Sequence, residues 1–536
     1  MEEKKFDSKI RSHRIQNSVR GSISGIMLAA ETTLVPFFIR TAMMRRMGAE
    51  YLGLHGLLQS ACGVLNMTEL GISSVMVYFL YEPVAVGDQK RVNACLMEIK
   101  RLYRRVACAV LAGGMLLMPF LEQLSSGEIP KGENIYLLFF CYVLAVAAQY
   151  LFWPEMASLL MAFQRTDLQC MIAGAVQFTA YGMQLAAVCI WHNYPAYVCM
   201  ILLQAIVAGT VQKLVADRLF SGCVPQGRLG KEERIQIRKK IFAMAGHQMD
   251  EKLLGSADSM YISAMLGLSA VAVYGNYYYV ATAVSLLFQP VYQAVLSAIG
   301  NALVTESEKA NKVRFDCLFF LGNMLAGWSS ACMLCMYQTF MGLWMPGQLL
   351  PMEMVIWMCV YSYIMQMRKS VQVFKNAGGM WDSDKFKPYV SMAADLVLNL
   401  ILIRSMGLQG AVLSTILCVG FLELPWETHV LYHDYFKMPA SDYAKRFLAY
   451  SFWNAALCTV CFFVLKKIPL PDGVMALVIE LSVCTAVSLC FYIIRYYRSR
   501  EMKIWIDTLR IAAGDRGQHF RRPKKPGEME DERKRK

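Results

Sequence analysis

Charge is scarce in this chain: Asp, Glu, Lys and Arg make up 18% of the 536 residues, against 56% hydrophobic ones. A soluble protein of this length needs a larger charged surface, so that class is excluded. From about Ile23 to Ile494 no polar interval is long enough to fold as a soluble domain. No Gly-rich loop leads into Lys and Ser or Thr, so direct drive by a nucleoside triphosphate is not supported. Met1 to Arg20 is polar and charged, and no small-residue cleavage site follows the first apolar run, so that run is expected to stay as an anchor. The 17 cysteines form no disulfide framework, because their number is odd and most lie inside apolar stretches. Cys332 and Cys335 make a CxxC inside an apolar helix, without other Cys or His nearby in the sequence, and read as core packing rather than metal or redox chemistry.

Long apolar runs fill the space that charge leaves. A helix rises about 1.5 Å per residue, so roughly 20 apolar residues cross a hydrocarbon core about 30 Å thick. Fourteen stretches meet that length: 21–42, 51–80, 106–124, 135–163, 168–190, 195–216, 241–266, 270–299, 316–341, 351–374, 388–406, 408–432, 447–465 and 474–494. The expected fold is an all-α polytopic membrane protein. Residues 1–216 form one six-helix bundle, 217–240 a cytoplasmic linker and 241–432 a second bundle. Two further transmembrane helices cover 433–494, and 495–536 is a basic cytoplasmic tail. A faint internal likeness places Gly48 over Gly267 and Gly56 over Gly275, where spans 1 and 7 close and spans 2 and 8 open. Six crossings preserve orientation, so such a repeat is parallel about the membrane normal, with a cavity between the halves.

Sidedness follows from the cations. Of 54 Lys and Arg, only Arg40, Arg45, Arg46, Lys131, Arg404, Lys466 and Lys467 fall on one side, with Lys252 inside a span. All the others lie in the N-terminus, the even-to-odd connections, the span ends that lead into them (Lys213, Arg368 and Lys369) and the tail, which places both termini in the cytoplasm. The net charge of +14 thus reflects topology and attraction to anionic membrane lipids, with no nucleic-acid partner.

Several motifs follow one another in a fixed order. They begin with Arg40-Thr41, Gly48-Ala49-Glu50-Tyr51-Leu52-Gly53-Leu54, Glu69-Leu70-Gly71-Ile72 and Leu80-Tyr81-Glu82-Pro83. Asp258-Ser259, Ile262-Ser263, Tyr274-Gly275-Asn276-Tyr277, Phe374-Lys375-Asn376-Ala377-Gly378-Gly379-Met380-Trp381 and Asp384-Lys385-Phe386-Lys387-Pro388 continue the series. Together they cover most of spans 1 to 12, and the chain resembles the Wzx-type polysaccharide flippases of the multidrug, oligosaccharidyl-lipid and polysaccharide exporter superfamily. The resemblance implies a non-enzymatic carrier in the bacterial cytoplasmic membrane. Such a carrier moves an isoprenoid-linked oligosaccharide by alternating access of two bundles, without a cofactor and with coupling to a proton or sodium gradient. Polysaccharide polymerase and glycosyltransferases are the expected pathway partners. Two other readings stand beside it: a multidrug cation antiporter of the same superfamily, and a membrane-embedded polymerase or glycosyltransferase.

A charge at mid-bilayer costs roughly 2.5 to 3.5 kcal/mol on insertion scales, so each one retained invites either a functional or a paired, structural reading. In span 7, His247, Glu251 and Asp258 fall within about 40° of one helix face, a stripe suited to proton or cation coupling. His247 and Asp258 match the family pattern, whereas Asp250 and Glu251 depart from it. Near the interface, His247 and Lys252 also read as snorkelling side chains. Arg20 and Glu31 share a face of span 1, and Glu69 in span 2 is placed to answer Glu31, Arg20 or Lys252. Asp395 and Asn399, one turn apart in span 11, suit a sugar hydroxyl or a neighbouring helix end. Arg40 matches the family position and either faces the cavity, where a guanidinium binds pyrophosphate oxygens, or contacts headgroups.

Overall fold

Backbone N–H and C=O groups find no water in hydrocarbon, so stretches this apolar satisfy them within helices. The structure, a computed structural model, describes residues 24–25, 27–69, 72–125, 129–130, 132–163, 165–378, 380 and 383–512, without the side chains of 67–68, 74, 85, 243–255, 290, 293–294, 296–298, 300–301, 304–305 and 507–512. Helix α1 covers 27–46 and α2 covers Ala49–Leu65. A 3-10 turn at Asn66–Glu69 precedes α3 (Ile72–Val86), and α4 runs through Gln89–Leu124. Next come α5 (Ile135–Leu151) and α6 (Pro154–Ala162), bent by 45° at Trp153, then α7 (Thr166–Cys189) and α8 (Tyr194–Leu219).

The second half opens with α9 (Lys231–Leu266) and α10 (Leu268–Thr305), continues through α11 (Glu308–Trp344) and α12 (Met352–Ala377), and reaches α13 (Lys387–Met406). Helix α14 (Leu408–Phe436) contains two π-helical segments, Cys418–Glu423 and Leu431–Phe436. Two further apolar helices, α15 (Ser441–Lys466) and α16 (Val474–Tyr496), precede the amphipathic α17 (Arg500–Ala512). The all-helical membrane fold expected from the sequence is therefore present.

By length and hydropathy, nine helices in the described residues are able to cross a membrane, or ten with α5 and α6 taken as one span. The fourteen-span count is not reproduced by that measure. The remaining predicted stretches coincide with α1, the broken pair α2–α3, α9 and α12, which are helical but shorter, interrupted or more polar.

Glycine sets how the halves meet. Gly48 and Gly267 have φ values of 103° and 91°, the region that favours glycine, and ψ values of 174° and 169°. The two positions matched by the internal likeness thus make the same turn. Helix α2 then packs along α10 so closely that a Cβ on Gly53 would overlap the Leu268 carbonyl, and one on Gly56 would press on Val271. Gly63 lies equally close to Ser256 of α9. Small residues allow this contact, which buries Leu54, Leu57, Leu268 and Ala272 in one core.

Helices α15 and α16 are fixed to α11 by polar bonds. Asn454 Nδ2 donates to Asn323 Oδ1 at 2.8 Å, the Tyr492 hydroxyl donates to Asn454 Oδ1 at 2.8 Å, and Trp328 Nε1 donates to Thr485 Oγ1 at 3.1 Å.

Candidate functional site

Asp258 is buried on α9 and accepts three hydrogen bonds. Asn399 Nδ2 of α13 donates to Oδ1 at 2.9 Å, while the Tyr274 hydroxyl of α10 and Thr415 Oγ1 of α14 donate to Oδ2 at 3.1 and 3.3 Å. The same Asn399 amide nitrogen donates to Asp395 Oδ2 at 3.0 Å, and Asn399 Oδ1 accepts from Ser414 Oγ at 2.7 Å. One amide thus holds two buried carboxylates apart, with both of its N–H groups and its carbonyl engaged. Donors to a charged acceptor contribute about 1.5–3 kcal/mol each, whereas the desolvation of each buried ion costs several kcal/mol. The groups that these bonds bring to the two carboxylates, an amide and two hydroxyls, are neutral donors. Asp395 and Asn399, predicted separately from Asp258, therefore belong to one site with it. Among the described residues, no three His, Cys, Asp or Glu side chains are arranged to hold a metal ion. Oxygens of Asp258, Asp395, Ser414 and Thr415 suit an alkali cation better than a transition metal.

Arg40 occupies a second position, at the seam between the halves. Its Nε and Nη2 donate to Asn276 Oδ1 of α10 at 3.1 and 2.8 Å, and its guanidinium carbon lies 5.7 Å from the Tyr279 ring centroid. Gly275 makes room for it, since a Cβ there would sit 3.0 Å from Nη2. The partner of this cation is an amide and an aromatic face rather than a carboxylate. Nearby, Trp344 Nε1 donates to Thr41 Oγ1 at 2.5 Å, the Tyr279 hydroxyl donates to the Thr33 carbonyl, and Phe37 stacks on Trp344 with ring centroids 4.5 Å apart. Helix α1 is thereby tied to α10 and α11. Tyr274, which bonds Asp258, and Asn276, which bonds Arg40, are two residues apart on α10.

Compared with solved structures, the chain matches the lipid II flippase MurJ in its inward closed conformation with a TM-score of 0.60, over 89% of this chain and 99% of that one, at 11% identity. An inward-facing multidrug resistance MATE family transporter of the MOP superfamily matches with a TM-score of 0.57 over 74% and 94%, at 14% identity. The outward-facing conformation of such a transporter gives 0.50 over 78% and 96%, at 12% identity. This chain has their fold. No family model and no curated protein sequence matches it.

Other predicted positions lie elsewhere in that fold. Glu31 faces α7, where a Cβ on Gly174 would sit 3.1 Å from its Oε2. Glu69 accepts from the Tyr103 hydroxyl of α4 at 3.1 Å. Arg20 and the side chains of His247 and Lys252 lie outside the described residues. Cys332 and Cys335 have thiol neighbours that sequence distance hides: Cys461 of α15 and Cys484 of α16 lie close to them.

Sequence reasoning missed Ser414, Thr415 and the role of Asn276. It also passed over a buried charge cluster on the side of the basic connections. Arg368 Nε and Nη2 donate to Glu427 at 2.9 and 2.7 Å, and Arg368 also contacts Glu423. Lys387 Nζ lies 2.8 Å from Glu427 and 3.4 Å from Glu423, and Lys375 pairs with Asp384. The signal was available: Glu423 and Glu427 stand one turn apart inside an apolar stretch, and Arg368 sits inside another.

Proposed function

We propose that this protein is a flippase that moves an isoprenoid-linked oligosaccharide between membrane leaflets by alternating access, driven by a proton or sodium gradient. The observation that carries the substrate class is Arg40. It is a fixed positive charge at the seam of two halves, held by an amide and an aromatic ring, and among the described residues no carboxylate pairs with it. A diphosphate entering there exchanges weak neutral contacts for charge-assisted, bidentate ones. A cationic drug would meet repulsion at the same place, which disfavours the multidrug reading.

The Asp258–Asn399–Asp395 cluster supports the coupling half of the proposal. Binding a cation there lowers the charge on the acceptor that holds the Tyr274 hydroxyl and so loosens that bond, and the same stretch of α10 presents Asn276 to Arg40. Ion binding and phosphate binding would therefore both act on the position of one helix. Such differential contact between two states is what coupling requires.

Reconstituted protein in liposomes tests this with a fluorescent isoprenoid-diphosphate oligosaccharide. Wild type should carry it to the opposite leaflet, and Arg40→Gln should reduce the rate at least tenfold. Efflux of drug cations with no movement of the lipid-linked glycan would select the antiporter instead.

A further inference from the structure

The buried face of α13 is polar over four successive turns. Lys387, Ser391, Asp395 and Asn399 follow at four-residue intervals, all buried, until Ile403 ends the series. At 1.5 Å per residue this strip is about 18 Å long, more than half the thickness of a hydrocarbon core. Helix α14 answers it almost rung for rung. Ser414 bonds Asn399, the Cys418 thiol lies 3.3 Å from Ser391 Oγ, Ser391 Oγ donates to Glu423 Oε1 at 2.6 Å, and Glu427 meets Lys387. The π-helical segment Cys418–Glu423 adds a residue to the turn, so that Cys418 and Glu423, five residues apart, both reach Ser391 of α13.

A continuous polar strip from a buried cation site to the basic face is a hazard for a coupled carrier. An ion able to slip along it would cross without moving substrate. The far end, however, is where the cations gather: Lys387 on the strip itself, with Arg368 and Lys375 behind it. Among the described residues Glu423, Glu427 and Asp384 pair with these cations, while an ammonium group stands at the end of the strip. Fixed cations in a narrow polar passage exclude mobile ones.

We propose that the Lys387–Arg368–Lys375 cluster is an electrostatic plug that seals the Asp258 site from the basic face, so that the coupling cation exchanges only through the cleft between the halves. The inference rests on the reading of Asp258 as a cation site. It assigns a role in ion exclusion to the motif segment from Lys375 to Lys387, which the transport reading leaves without one.

The test uses full-length protein in liposomes without substrate. Passive 22Na+ uptake and the response of a trapped pH dye are measured down an imposed gradient. Lys387→Gln, which leaves the cluster one positive charge short, should raise passive flux at least tenfold over wild type, and Lys387→Arg should stay at the wild-type level. Adding Ser391→Val, which places a methyl group in the strip, should return the Lys387→Gln flux to near wild type. A folded, inserted Lys387→Gln protein as tight as wild type would overturn the proposal, as would a leak indifferent to Ser391→Val, since that leak would come from loosened packing. If Lys387→Gln does not insert, Lys375→Gln is measured with the same two outcomes. Gradient-driven transport by Asp258→Asn reports separately: wild-type behaviour there sinks the coupling reading, while a tight Lys387→Gln sinks only the plug.

Discussion

At the scale of single residues, Asn399 and Asp258 make different demands. Asn399 spends both amide hydrogens on carboxylates and its carbonyl on Ser414, so Asn399→Ala takes one donor from each of two buried acids, while the Ser414 hydroxyl keeps the Ala411 carbonyl. An unsatisfied buried group costs about 1–3 kcal/mol, and thermal unfolding in detergent should show a loss of that order. Asp258→Asn removes charge and keeps shape. It should insert and unfold like wild type while gradient-driven transport falls at least tenfold, equivalent to about 1.4 kcal/mol in an activation or binding step. Asp258→Glu should retain part of the rate. Equal rates for wild type and Asp258→Asn at matched protein levels would reduce the cluster to packing.

At the scale of helices, the sequence speaks clearly where its period and its exceptions coincide. Apolar runs locate the helices because hydrocarbon leaves the backbone no other partner, and Asp258, Asp395 and Asn399 stand out because each is polar against that background. Their meeting was not legible: it depends on how α9, α13 and α14 cross, and no local pattern encodes a crossing. Glu423, Glu427 and Arg368 were equally visible as exceptions, yet the pairing that joins them with Lys375, Lys387 and Asp384 is a property of three helices and one connection. The thiol cluster around Cys484 is a similar case, because its members come from α11, α15 and α16. Gly53 shows the reverse, a residue whose meaning is wholly in packing. A Cβ there would overlap the Leu268 carbonyl, which is backbone and cannot rotate away, so Gly53→Ala should force α2 from α10. Transport should fall with helix content unchanged by circular dichroism. A Gly53→Ala protein with wild-type transport would mean that the seam tolerates a wider spacing.

At the scale of the whole molecule, the halves also meet towards the basic connections, through Gly63 against Ser256 and Arg91 with Glu233, but the contacts at the ends of α1, α2 and α10 that carry Arg40, Thr41, Gly53 and Leu268 lie on the face away from those connections. These contacts have to part for a carrier of alternating access to open on that face. Leu268 is a probe for the event, since it is fully buried against α2 and close to cysteine in polarity. In a background cleared of reactive thiols, Leu268→Cys should resist a membrane-impermeant maleimide at rest. With a gradient and lipid-linked glycan both present, it should react from the side opposite the basic connections, at a rate several-fold above the resting one. Adding Asp258→Asn should abolish that increase, because the site that biases α10 through Tyr274 no longer responds to the ion. Labelling that is already fast at rest would show that the seam is open in the membrane. An increase that survives Asp258→Asn would separate opening from the ion site, and the two halves of the proposed cycle would then have to be joined elsewhere.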